Sequence, residues 1–359
     1  MWNLINNVTA ATNHLSNLAE NINTDNNSLH QQIKVGKRIT YPLGNLNIPA
    51  QKIYLACAKL ADAVYDDKRS TLGPEKDRSL NIGRDLVSNV PSHSESDLEF
   101  NSFSETTLNC KFSYLYSKPS KFLIISFRGT EASSISNWSS NISFTSQELK
   151  IFNNPTQVHQ GFYSCFEVLM QAIVKLIQNN LALGEEQRLK TIIFTGHSLG
   201  GAIATLAYVK FSEWLGQKFG IYFELVTFGA PRVGMPKFVE AFDKILEQNL
   251  KISQTANVCL NSCSLTKYGR FVYKTDPVPN LPSLASGLGA AIYQTGGLTG
   301  LGDRIAGEAN NSYNHVVNFQ HLDDSRDIKD KSFNLGLTGT ISDHMVENYV
   351  AKLEEIYGA

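Results

Sequence analysis

Charge is scarce in this chain. Only 18% of the 359 residues are Asp, Glu, Lys or Arg, and the formal net charge is -1. The Lys and Arg residues are scattered, so no basic face forms and nucleic acid is not an expected partner. Cysteine is scarcer still. Cys57, Cys110, Cys165, Cys259 and Cys263 are too few and too irregular for a disulfide framework, and none has a second Cys or His pair at metal spacing. Buried thiols are expected, with a single Cys259–Cys263 bridge as the alternative. No run of 18 or more strongly apolar residues occurs, so no membrane-spanning helix is expected. The first residues carry no basic stretch ahead of an apolar core and no small-residue cleavage site, so no Sec-type signal peptide is expected. The chain is then cytoplasmic, or exported by a route without such a signal.

What is abundant is apolar surface. At 42% hydrophobic residues the chain can build a sizeable core. Residues 1–48 stand apart from the rest. Ile5, Val8, Ala11, Leu15, Leu18 and Ile22 recur at helical steps, against a face of Asn, Thr and Ser. A helical extension packed on the main domain is expected. The other readings are a protein-docking helix or a peripheral membrane helix, although the latter usually carries Lys or Arg on its polar face.

From residue 49 to the end one domain is expected. Apolar strands ("FSYLYS", "KFLIISF", "TIIFTG", "FELVTF", "RFVYKT") alternate with helices ("IYLACAKLADAVYD", 161–181, 199–215, "MPKFVEAFDKILEQ"). Such alternation predicts crossovers and a mostly parallel sheet covered by helices on both faces. A last helix is expected from about Asp343 to Tyr357, with Ser342 as its N-cap. Two stretches read as loop. Residues 68–107 are polar, and residues 277–302 are uncharged and rich in Gly.

Within this pattern, Gly196-His197-Ser198-Leu199-Gly200 fits G-x-S-x-G between an apolar strand and a helix of small residues. Such a turn lifts a serine hydroxyl above the sheet. It presses strand against helix so tightly that positions two before and two after the serine tolerate little side chain. It also leaves the serine at a helix N-terminus, where free N–H groups face developing negative charge. Ser198 is therefore the candidate nucleophile, and the Leu199 N–H is one oxyanion donor. A serine needs a base, and the base needs an orienting acid. Three histidines follow Ser198 in the chain: His315, His321 and His344. Asp276 closes the strand "RFVYKT", where a strand's carboxyl end delivers side chains to a site. His159 and His197 read as structural.

The residues at this point resemble the class 3 lipase family, the fungal-lipase-like branch of the α/β-hydrolases. The resemblance runs in order through "FRGTEASSISNW" (127–138), "VHQGF" (158–162), "TGHSLGGA" (195–202), "TFGAPRVG" (227–234), "YKTDPVPNLP" (273–282) and "DHMVENYV" (343–350). It covers roughly residues 50 to 357 and implies an α/β-hydrolase fold there, behind the N-terminal helical extension that the spacing predicts. It also implies hydrolysis of fatty-acyl esters, by a triacylglycerol lipase or a phospholipase A1, with Ser198 as nucleophile, Asp276 as acid and His344 as base. His315, in "YNHVV", is the rival base. Thr130 supplies the second oxyanion donor, and Arg128 braces its loop. No metal or organic cofactor is implied, and the partner is a lipid ester. The segment 144–157 and Trp138 lie where the family carries a lid, and 277–302 is the candidate apolar rim, with a plain surface insertion as the alternative. Met235 and Asn137 depart from residues frequent in the family. A non-catalytic binding protein on the same fold is the rival reading.

Overall fold

The structure is a computed structural model that describes residues 40–43, 46–65, 73–88, 97–131, 145–182, 188–255, 268–282, 313, 315–316, 320–322 and 341–358. The periodic segment from Ile5 to Ile22, Trp138, Cys259, Cys263 and the loop after Pro282 lie outside them.

Eleven strands are described: β1 (Thr40–Leu43), β2 (Leu46–Pro49), β3 (Leu98–Glu105), β4 (Cys110–Ser117), β5 (Phe122–Phe127), β6 (Ser146–Ile151), β7 (Asn154–His159), β8 (Thr191–His197), β9 (Tyr222–Phe228), β10 (Tyr268–Val272) and β11 (Gln320–His321). Seven form the central sheet, in the order β11-β10-β9-β8-β5-β4-β3. The pairs from β5 through β8, β9 and β10 to β11 are parallel, while β3/β4 and β4/β5 are antiparallel. The helices that matter to the site are α1 (Ala50–Ala63), α2 (Glu75–Val87), α3 (Gln160–Leu181), α4 (Leu199–Phe211), α5 (Pro236–Thr255) and α6 (Val346–Tyr357).

The central strands β5, β8 and β9 carry apolar residues on both faces because both faces are buried. On β5, Leu123, Ile125 and Phe127 join one core with α3 and α4, whereas Phe122 and Ile124 join the opposite core with α1 and α6. On β8, Ile192 and Phe194 point one way and Ile193 the other. Alternation along a pleated strand puts successive side chains on opposite faces, so each face demands its own helical cover. This is the mostly parallel, doubly covered sheet that the alternating pattern predicts, in the α/β-hydrolase arrangement that the resemblance implies.

Three local expectations are corrected. The stretch 68–107 is not one long loop, because it contains α2 and β3. Only Leu80, Ile82, Leu86 and Val87 are apolar among the 13 residues of α2, too few to stand out from a polar stretch, although all four pack on the core. It is also held by a buried ion pair of Glu75 with Lys111 on β4 (2.5 Å), and by Gly83 packed on Leu115 and Leu98. Strand β3 is the exposed edge of the sheet and is largely polar, which hides it. The segment expected to act as a lid is a β-hairpin, β6–β7. Its Leu149, Ile151 and Val158 are buried, and Glu213 accepts from the Phe152 N–H at 2.6 Å. Finally, the last helix begins at Val346. His344 ends a separate 3-10 turn, Ile341–His344, and Ser342 does not cap the helix. Near the expected boundary of the N-terminal extension, residues 40–43 and 46–49 pair antiparallel as β1 and β2.

Candidate active site

Each functional side chain comes from the carboxyl end of a sheet strand or from the turn before α6. β8 runs straight into Ser198, which sits at φ 58°, ψ -130°, a backbone region L residues rarely adopt. What makes that turn possible is the absence of side chains around it. A Cβ on Gly200 would collide with the carbonyl of Phe127, and one on Gly196 would collide with Gly200 itself. Strand β5 and the start of α4 therefore lie in backbone contact. The Leu199 N–H, in the first turn of α4, has no carbonyl within the helix to bond.

The side chain of His344 reaches Ser198 although 146 residues separate them. Its Nε2 lies 2.8 Å from Ser198 Oγ, and its Nδ1 lies 2.8 Å from Asp276 Oδ2. A carboxylate only accepts, so Nδ1 carries the proton and Nε2 is the free acceptor that faces the hydroxyl. Asp276 is itself held by two further donors. The Val278 N–H meets Oδ1 at 2.9 Å, and the Tyr349 hydroxyl meets Oδ2 at 2.5 Å. Tyr349 in turn accepts from the Tyr273 N–H at 3.1 Å. The turn carrying His344 is pinned by Asp343, whose Oδ2 accepts from the Thr275 N–H (3.2 Å) and hydroxyl (2.6 Å). Ser198, His344 and Asp276 are all buried.

Thr130 follows the strand end that packs against this turn. A Cβ on Gly129 would sit 3.2 Å from Ser198 Cβ, which places the 128–130 segment beside the nucleophile. Arg128 braces that segment by donating to the backbone and side-chain oxygens of Asn109, at 2.7 and 2.6 Å. The other histidines have different partners. His315 Nε2 lies 2.7 Å from an Arg270 guanidinium nitrogen and 2.5 Å from the Pro279 carbonyl. His321 belongs to β11, where it pairs with Val272. His159 caps α3, accepting from the Phe162 N–H, and stacks on the Phe162 ring at 4.0 Å.

Tyr65 gives no readable signal of a place at the site, and Gly229, Asp343 and Tyr349 lie in segments that carry the resemblance but suggest no role of their own. Gly229 has φ +55°, and a Cβ there would stand 2.6 Å from Asp276 Oδ2 and 3.1 Å from His344 Cε1. Gly229→Ala thus combines a left-handed backbone cost of about 1–2 kcal/mol with a push on two site groups. The expected result is a lower melting temperature and a kcat reduced about 100-fold, read by thermal melts and ester turnover on one preparation.

His197 is also buried, with its ring 4.5 Å from that of His344. Burial, and then the neighbouring His344, hold it well below the ordinary histidine value of 6.5. Below 6.5 the unfolded chain takes up a proton here that the folded chain refuses. Stability is thus complete above that value and falls with decreasing pH down to the folded value, by about 1.4 kcal/mol per pH unit. Denaturant titrations at about pH 7.5, 6 and 5 should show the loss, and His197→Gln should be shallower by about one proton.

Residues 124–286 match the family model of lipase (class 3). The chain is 30% identical over 167 residues to secreted mono- and diacylglycerol lipase 1 of Fusarium solani, covering 46% of this chain and 41% of that protein. It is 29% identical over 167 residues to a lipase of Rhizomucor miehei, covering 46% and 39%. Among solved structures it is similar to lipase II from Rhizopus niveus, at 24% identity and a TM-score of 0.47, covering 66% of this chain and 76% of that one. The match spans about two fifths of the length of the curated relatives. Over residues 124–286, from within strand β5 past the turn after β10, this chain is similar to the class 3 lipase family.

Proposed function

We propose that the chain hydrolyses fatty-acyl esters through a Ser198–His344–Asp276 triad and a covalent acyl-enzyme. The observation that carries this reading is the unbroken line of hydrogen bonds from Ser198 Oγ through the imidazole to the carboxylate, 2.8 Å at each step. His344 Nε2 takes the Ser198 proton as Oγ attacks the ester carbon, and the carbonyl electron pair moves onto oxygen. The N–H groups of Leu199 and Thr130 stabilise that oxyanion. As the tetrahedral species collapses, the alcohol leaves with the proton from Nε2. Water then gives a proton to His344 and attacks the acyl carbon, and Ser198 departs with that proton, freeing the acid. Asp276 holds the ring in the required tautomer throughout.

Acylglycerols stand ahead of phospholipids cleaved at sn-1 as substrate, because relatives bear the names of acylglycerol lipases. The test sets purified protein against medium-chain p-nitrophenyl esters, a diacylglycerol, a triacylglycerol and a phosphatidylcholine, with Ser198→Ala as control. Turnover and fluorophosphonate labelling should both vanish in the alanine variant. Activity that survives in Ser198→Ala would overturn the reading, and so would a folded wild type that the probe does not label.

A further inference from the structure

The motif residue His197 points away from the Ser198 hydroxyl and makes two hydrogen bonds of its own. Its Nε2 lies 2.6 Å from the backbone carbonyl of His344, and its Nδ1 lies 2.8 Å from the hydroxyl of Tyr65. A carbonyl only accepts, so Nε2 carries the proton and Nδ1 accepts from the tyrosine. The Tyr65 oxygen also packs against the Gly129 backbone, where a Cβ would collide with it. The path therefore runs from Gly129, one residue before the oxyanion donor Thr130, through Tyr65 and His197 to the backbone of the base. It crosses gaps of 132 and 147 residues in the chain.

We propose that Tyr65 and His197 are positioning residues that hold the oxyanion segment and the backbone of His344 in register with Ser198. The inference rests on the hydrolase reading above. Three segments must agree in position for acyl transfer: the end of β5, the turn after β8 and the 3-10 turn before α6. The Asp343–Thr275 contact fixes only the third, against β10. The Tyr65–His197 pair joins all three through one imidazole. Histidine suits the place because its neutral ring offers one donor and one acceptor on opposite edges. It is also embedded in the turn whose serine it must align with. Errors of about 1 Å at a reacting centre cost on the order of 100-fold in rate, so such a brace acts on kcat and not on substrate affinity.

The test compares Tyr65→Phe, His197→Leu and His197→Gln in the full chain. Fluorophosphonate labelling rate, kcat and KM on a p-nitrophenyl ester, and melting temperature are all measured. Tyr65→Phe keeps the ring and loses only the hydroxyl, so its folded fraction can be titrated and compared directly. We expect labelling and kcat to fall roughly 30-fold in Tyr65→Phe and further in His197→Leu, with KM moved less than about twofold. His197→Gln, whose amide N–H can still reach the His344 carbonyl, should recover about tenfold over the leucine variant. Two results would overturn the proposal: labelling of folded Tyr65→Phe within about twofold of wild type, or equal rates in the Leu and Gln variants. A folded wild type that fails to label at all would instead reject the hydrolase reading.

Discussion

His344→Ala is expected to lower kcat on a p-nitrophenyl ester by roughly a millionfold, while KM moves by less than about threefold. The size follows from what faces the hydroxyl. Nε2 of His344 is the acceptor set 2.8 Å from Ser198 Oγ, and the imidazole is fully buried, so bulk water cannot take over as base. Both ring nitrogens are already engaged, by Asp276 and Ser198, so substrate binding should be spared. The group acts as a unit with its neighbours. Adding Asp276→Asn to His344→Ala should therefore cost less than about threefold more. Steady-state kinetics with active-site titration check both statements. A double variant that multiplies the two single losses would show that Asp276 acts on something other than His344.

Asp276→Asn alone should lower kcat by about 10,000-fold. The carboxylate has donors on both oxygens: Val278 N–H on Oδ1, and both His344 Nδ1–H and the Tyr349 hydroxyl on Oδ2. An amide has one accepting oxygen and one donating nitrogen, so it cannot serve both sides. If its nitrogen faces Val278, two donors meet. If its nitrogen faces His344, the ring must accept at Nδ1, and its proton moves to Nε2. That proton would point at Ser198 Oγ and block general-base catalysis. Tyr349→Phe on the asparagine background separates the cases, since it removes one of the donors competing for the amide oxygen. The measured quantity is kcat across pH, because a wrong tautomer lowers the plateau and leaves its midpoint in place.

The fold was legible where burial is two-sided. Strands β5, β8 and β9 are buried at every position, and their apolar residues fall on both faces because each face meets a different core. The serine turn was legible because close backbone approach demands glycine at fixed offsets, and Gly196 and Gly200 stand at those offsets. What stayed hidden has a common cause. α2 carries few apolar residues and β3 is held by edge pairing, so neither shows a readable hydrophobic period. His344 sits on a 3-10 turn that the helix signal of α6 swallowed. Tyr65 and Tyr349 matter through single hydroxyl groups that meet partners 132 and 73 residues away, and one oxygen leaves no periodic trace in a sequence.

Ser198 also carries a cost of its own. A non-glycine residue at its backbone angles sits about 1–3 kcal/mol above an unstrained one. The surrounding backbone contacts, Gly200 on Phe127 above all, keep it there. Selection for the reaction and selection for durability therefore pull this position in opposite directions. A descendant released from its chemistry would be free to drift to glycine here, trading away its reactive oxygen for a more relaxed and longer-lived fold.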